Sequence, residues 1–222
     1  MASHTVFIFN SFGIFVKFFC ISNFKLVSSN YIDFLPPAST FLIRKWIHEL
    51  NIDLKIVKPR KTKLGDFRFQ FNKGFIITIN DDLNPFAFLI TLTHEIAHAF
   101  IYKKYGRSVF SHGKEWKNMF RSLILNFLST DIFPEDILAQ LSKHLIKPTS
   151  TTSNDFNLSL ILRKYDRRKR LTISEIQKGE HFISSNRTFV KGDKLRKRFR
   201  CKEIKTNKIY LFNPLANITL IQ

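Results

Sequence analysis

His94-Glu95-Ile96-Ala97-His98 is an HExxH stretch inside an apolar, helix-patterned run. Histidines four residues apart project from one helix face, about one turn from each other. Both imidazoles then reach a single metal ion, and the glutamate beside the first of them lies close enough to work on a water held by that ion. This is the minimal residue set for zinc-dependent peptide hydrolysis. The flanks supply the helix. Asn84-Pro85 reads as an N-cap followed by proline at the first helical position. Phe86, Leu89, Ile90, Thr93, Ala97 and Ile101 recur at helical spacing, and Gly106 is a stop signal. The spacing predicts a helix over 85–104. The competing reading is an amphipathic helix whose two histidines are solvated or hydrogen-bonded in a core.

A catalytic zinc takes three protein ligands and keeps a fourth position open. The long metzincin pattern would put Gly and His three and six residues after the second motif histidine. Ile101 and Lys104 stand there, so that pattern fails. Two candidates follow in Ser111-His112-Gly113-Lys114-Glu115-Trp116. A second helix is expected here, with Glu115 in its first turn and Trp116, Met119, Phe120, Leu123 and Ile124 on its apolar side. The short segment before it lets this helix fold back on the first. Imidazole favours His112 as the third donor. Glu115 remains the alternative, as a ligand or as a hydrogen-bonding and helix-end charge.

These residues together resemble the SprT-like (Spartan-like) metalloprotease domain. The resemblance rests on 94–98, on 102–107 and on His112-Gly113-Lys114-Glu115-Trp116-Lys117. Upstream, Arg60, Thr62, Lys63, Leu64, Gly65, Asp66, Phe67 and Arg68 lead into Ile76-Ile77-Thr78-Ile79-Asn80. That segment is similar to the strand pair before the active helix, especially in shorter bacterial members. The resemblance covers about 31–128. It implies His94, His98 and His112 as ligands of one Zn²⁺ per chain, and Glu95 as the general base. Many members carry a four-cysteine zinc ribbon after the protease domain. Here Cys201 alone falls in that region, so a second, structural zinc is not expected.

The chain has 222 residues, enough for one good core and a small second unit. Cys20 and Cys201 lie near opposite ends with no Cys-x-x-Cys, which excludes a disulfide framework and points to a reducing compartment, the cytoplasm. The run 6–21 is apolar and rich in phenylalanine but interrupted by Asn10 and Lys17. It is short for a membrane span and lacks the basic start of a signal peptide. We read 1–30 as an extension outside the fold and do not expect membrane association.

The remaining elements order themselves as follows. Pro36-Pro37 opens a helix over 38–50, 54–57 is a short strand, and 58–66 is a basic loop. Segments 67–71 and 75–80 form a hairpin turning at Asn72-Lys73-Gly74. Another helix spans 134–144. Composition makes 148–156 a linker. Beyond it, 158–163, 181–190, 197–201, 209–212 and 218–221 alternate like short strands. The expected fold class is α+β. A zincin-like core over 31–147, its HExxH helix beside a small sheet, is followed by a basic, β-rich unit over 157–222.

Thirty-six Lys and Arg against 17 Asp and Glu give a net charge of +19, a field that attracts polyanions, nucleic acid foremost. Residues 155–222 hold 17 Lys and Arg against 6 Asp and Glu, a net of +11. Arg167, Arg168, Lys169 and Arg170 form one cluster, and Arg196, Lys197, Arg198 and Arg200 another. Each reads either as a phosphate-contacting set that holds DNA or nucleoprotein, or as a solvated face. The expectation is a zinc peptidase acting on protein substrates, with DNA-associated proteins suggested by the resemblance. Its rivals are a zinc-holding nucleic-acid regulator and a membrane-associated metallopeptidase. Tyr102 and Tyr105 are candidate oxyanion donors. Oligomeric state is not readable.

Overall fold

The structure, a computed structural model, describes residues 29–60, 62–146 and 155–221. It is α+β: among the described residues, five α-helices and two sheets surround two hydrophobic cores. The run 6–21 and most of the segment read as a linker lie outside the described residues. No described helix is long and apolar enough to cross a membrane.

After a 3₁₀ segment (Ser29–Phe34), Pro37 starts a short 3₁₀ turn that runs into α1 (Thr40–Glu49). Its buried stripe is Ile43, Trp46 and Ile47. Three strands follow, β1 (Ile52–Val57), β2 (Gly65–Gln70) and β3 (Gly74–Asn80). The sheet order is β1-β3-β2, with β1 parallel and β2 antiparallel to β3. β3 is central, and Ile76, Ile77 and Ile79 are buried.

This order forces residues 58–64 to cross the end of β3 on their way to the far edge. One arginine pins the crossing. Arg60 Nε donates to Asn80 Oδ1 (2.9 Å), and its Nη1 donates to Thr78 Oγ1 (2.9 Å). Asn80 returns a bond from Nδ2 to the Lys63 carbonyl (3.0 Å). The basic loop is thus an anchored crossover that sets where β2 begins.

α2 (Pro85–Tyr105) carries the HExxH residues. Asn84 Oδ1 accepts the Ala87 N–H at 3.0 Å, as the cap reading requires. The helix is buried nearly all round from Phe88 to Ala97, because β2 and β3 cover one side and α3 (Lys114–Leu125) the other. α4 (Glu135–Ile146) and α5 (Phe156–Arg163) complete this core.

α5 corrects one expectation: 158–163 is a helix and not a strand. Asp155 Oδ1 caps it through the Leu158 N–H at 3.0 Å, and its Oδ2 pairs with His144 Nδ1 at 2.8 Å. Leu158 and Leu162 belong to the first core. Asn84 Nδ2 also donates to the Leu162 carbonyl (2.9 Å), which ties α5 to the start of α2.

The second core lies under a five-stranded antiparallel sheet, ordered β7-β6-β5-β4-β8. The strands are β4 (His181–Ser184), β5 (Arg187–Lys194), β6 (Phe199–Glu203), β7 (Ile209–Phe212) and β8 (Thr219–Leu220). The expected strand over 181–190 is a hairpin, since Ser185 and Asn186 both have positive φ and make a tight turn. Phe182, Phe189, Phe199 and Cys201 point inward. β5 bulges between Lys191 and Lys194, where a Cβ on Gly192 would meet the Arg200 carbonyl oxygen at 2.3 Å.

Candidate metal centre

His94 and His98 stand one turn apart on α2, and His112 approaches from the loop before α3. Their Nε2 atoms form a nearly equilateral triangle: 3.2 Å from His98 to His94, 3.1 Å from His98 to His112 and 3.3 Å from His112 to His94. Three donors on a tetrahedral zinc, each about 2.0–2.1 Å from the ion, stand about 3.3–3.4 Å from one another. The triangle therefore fits a single zinc. These three residues are the group of described side chains able to hold a metal.

Electrostatics agree with the geometry. Burial, then mutual repulsion, lowers His94 to about 2 and His98 to about 3. His112 is lowered by burial and by Lys117. All three imidazoles are thus held neutral, the form that binds metal. Three neutral donors aimed at one point leave their lone pairs opposed, and a cation at that point relieves this.

Trp116, in the first turn of α3, floors the cluster. Its ring centroid lies 4.4 Å from His94, 4.8 Å from His112 and 5.3 Å from His98, and it stacks on Phe120 at 5.2 Å. The fully buried indole keeps the imidazoles in apolar surroundings, at the cost of a buried Nε1–H with no hydrogen-bond partner among the described residues. On the β2 side, Phe67 lies nearly parallel to His98, centroids 6.3 Å apart.

Glu95 turns toward β2. It is 7 % exposed, and its carboxylate accepts the backbone N–H of Phe67. Burial raises it to about 8, with Asp66 adding to the rise and Arg60, the Phe67 N–H and Lys63 opposing it. Asp66 is itself paired with Lys63 (2.8 Å) and Arg68 (2.6 Å). Gly65 makes the room: a Cβ there would stand 2.7 Å from Glu95 Oε1 and 2.8 Å from Thr91 Cγ2. Gly65, Phe67 and Asp66 are neighbours of Glu95 that the HExxH spacing does not reveal. A glycine at the start of a strand was the available signal for close approach.

The other candidates fall elsewhere. Glu115 is not in the histidine cluster; it lines a shallow groove with Lys104, Tyr105 and Asn118. Tyr102 stacks its ring on Phe69 at 4.8 Å, within an aromatic group on β2 and β3. The two basic clusters separate. Arg196, Lys197 and Arg198 sit at the exposed β5–β6 turn, and Arg200 is exposed on β6. Arg167, Arg168 and Arg170 line a cleft of about 420 Å³ at the start of α2, with Lys169 exposed beside them.

Residues 62–131 match the SprT-like family, a group of metalloprotease-type domains. The matched span contains Gly65, Phe67, the three histidines, Glu95 and Trp116. No curated protein and no solved structure matches the chain.

Proposed function

We propose that this protein is a zinc-dependent peptidase with a zincin-like core. The observation that carries the reading is the triangle of Nε2 atoms, with Glu95 next to His94 in the same buried helix. His94, His98 and His112 would hold one Zn²⁺. Bound there, zinc supplies Lewis acidity and a water of lowered pKa, near 7.

Glu95 does the proton work. Its carboxyl, next to His94 and outside the ligand set, is suited to take a proton from the attacking water and return it to the leaving amine. The Phe67 N–H and the Gly65 surface hold it in place for both transfers. Trp116 keeps bulk water from the back of the imidazoles. β2 is an edge strand, so an extended substrate backbone laid along it would run toward Glu95 and the histidines.

We further propose that the substrates include DNA-associated proteins. The support is charge: Arg196, Lys197, Arg198 and Arg200 lie exposed on the second sheet, ready for phosphate. A reducing cytoplasm suits the free, buried Cys201.

The test is Glu95→Gln in the full chain, with zinc measured by elemental analysis and cleavage measured on an unfolded protein. Zinc and fold stay, and turnover falls by about 10²–10⁴. Equal cleavage by both proteins would end the peptidase reading.

A further inference from the structure

Arg167, Arg168 and Arg170 do not extend the basic face of the second sheet. They line the cleft of about 420 Å³ at the start of α2, and none of the basic residues at the β5–β6 turn lines it. Arg163 and Asp166 line the cleft as well and brace this segment. Arg163 donates to the Arg170 carbonyl (2.6 Å) and to Asn217 Oδ1 (2.9 Å), and Asp166 is tied to Asn84 Nδ2 (2.7 Å). Among the described residues, Arg167, Arg168 and Arg170 form no ion pair. Of the three, Arg170 lies within electrostatic reach of Asp166.

The rest of the lining has different chemistry. Asp81 and Asp82 come from the β3–α2 connection and Asp33 from the first 3₁₀ segment. Phe34, Leu83 and Pro85 supply apolar surface between them. Because Pro85 begins α2, the positive end of that helix also faces the cleft.

This lining decides what fits. A duplex would bring many phosphates to a cleft lined by four aspartates, Asp33, Asp81, Asp82 and Asp166, which would repel them. A simple anion would leave the carboxylates and the apolar surface without partners. The fitting ligand carries phosphate at one end, a flat apolar body, and hydroxyl or amino donors at the other. A carboxylate is the group that accepts ribose hydroxyls in nucleotide sites. The volume lies within the range of about 300–1,000 Å³ usual for small-ligand pockets. We propose that this cleft binds one nucleotide unit, its phosphate on Arg167, Arg168 and Arg170 and its sugar or base on the aspartate side. Free nucleotide and the phosphorylated end of a nucleic-acid strand share this chemistry.

The site does not depend on the peptidase reading, and its test uses binding alone. Full-length protein, wild type and Glu95→Gln, is titrated calorimetrically with AMP, adenosine and inorganic phosphate. AMP binds both proteins alike and more tightly than either fragment. The exposed pair Arg167→Ala/Arg168→Ala weakens AMP by about tenfold or more, since it removes two charge-assisted donors to the phosphate. Lys197→Ala/Arg198→Ala leaves it unchanged. Competition by a short single strand with a terminal phosphate, absent for the same strand without it, assigns the site to strand ends. Competition by neither strand assigns it to free nucleotide. No AMP binding at millimolar concentration, equal AMP binding by the arginine-pair variant, or phosphate binding as tight as AMP overturns the proposal. The first two outcomes make the arginines a solvated surface.

Discussion

Gly65 lies against Glu95 so closely that a Cβ at position 65 would stand 2.7 Å from Oε1. The two residues come from different elements, the first residue of an edge strand and the second residue of the HExxH stretch. Their approach explains why β2 must start where it does. Arg60, bonded to Asn80 and Thr78, holds the crossover that delivers Gly65 to that point.

Gly65→Ala therefore moves the carboxylate without touching the histidines. Overpacking of this kind costs about 1–3 kcal/mol of stability. A displacement of about 1 Å at a reacting group costs about 10²-fold in rate. The variant should keep its zinc, melt at a lower temperature and cleave an unfolded protein far more slowly. Undiminished turnover would show that the Gly65 surface does not position Glu95.

His112→Ala should lose most of its zinc, because two imidazoles on α2 leave the Nε2 triangle open on one side. Glu115→Ala should keep full stoichiometry, since Glu115 stands outside the cluster. Elemental analysis of the two purified variants is sufficient. Full zinc in the first and none in the second would move the third donor to Glu115.

Local chemistry made α2 readable. The Asn84 cap, Pro85 and the apolar period are all contained in the helix and its flank. The span of β7 was readable for the same reason, an alternating strand between turn residues. The segment 158–163 was not, because Leu158, Leu160, Ile161 and Leu162 form a short apolar run that suits a strand as well as a helix. Asp155, the cap that resolves the choice, stood at the end of a linker-like stretch. Of the site, the three histidines followed from spacing and donor chemistry. The contacts of Phe67 and Gly65 with Glu95 are tertiary, set by the order β1-β3-β2, and no local pattern announces that order. The separation of the two arginine clusters is tertiary in the same sense.

Placing α5 in the first core changes where the chain can be cut. A chain ending at residue 153 lacks Leu158 and Leu162, both buried there, and the Asn84–Leu162 bond. Two buried leucines contribute about 3–6 kcal/mol together. That is a large share of a domain's stability of about 5–15 kcal/mol. Such a chain should melt well below one ending at residue 166, measured by circular dichroism with zinc present. Equal melting would mean that α5 is an accessory to this core.

Glu203 offers a pH-resolved test of the second core. It bonds Arg187 Nε at 2.6 Å and also the Thr206 hydroxyl, and these bonds lower it from the ordinary 4.5 to about 2. A carboxyl depressed on folding stabilises the fold above its unfolded pKa, and the contribution drains away as pH falls to the folded value. Wild type should melt above Glu203→Gln by a constant margin at neutral pH. The margin should shrink below about 4.5 and vanish near 2. A margin independent of pH would assign the effect to packing.

The exposed residues Arg196, Lys197, Arg198 and Arg200 should dominate binding to duplex DNA, because the cleft arginines share their lining with Asp33, Asp81, Asp82 and Asp166. Backbone binding of this kind carries little base preference. For every phosphate that a substitution leaves without a cation, the log–log salt slope on duplex should fall by about 0.9. Arg196→Ala, Lys197→Ala and Arg198→Ala are turn substitutions with no buried partner, so fold and zinc content should hold. Fluorescence anisotropy across a salt series then reads the slope directly. A variant carrying all three should weaken binding most at low salt, similarly for unrelated sequences. If the slope stays at the wild-type value, these residues are a solvated turn, and targeting of DNA-associated proteins loses its structural support while the zinc site is untouched.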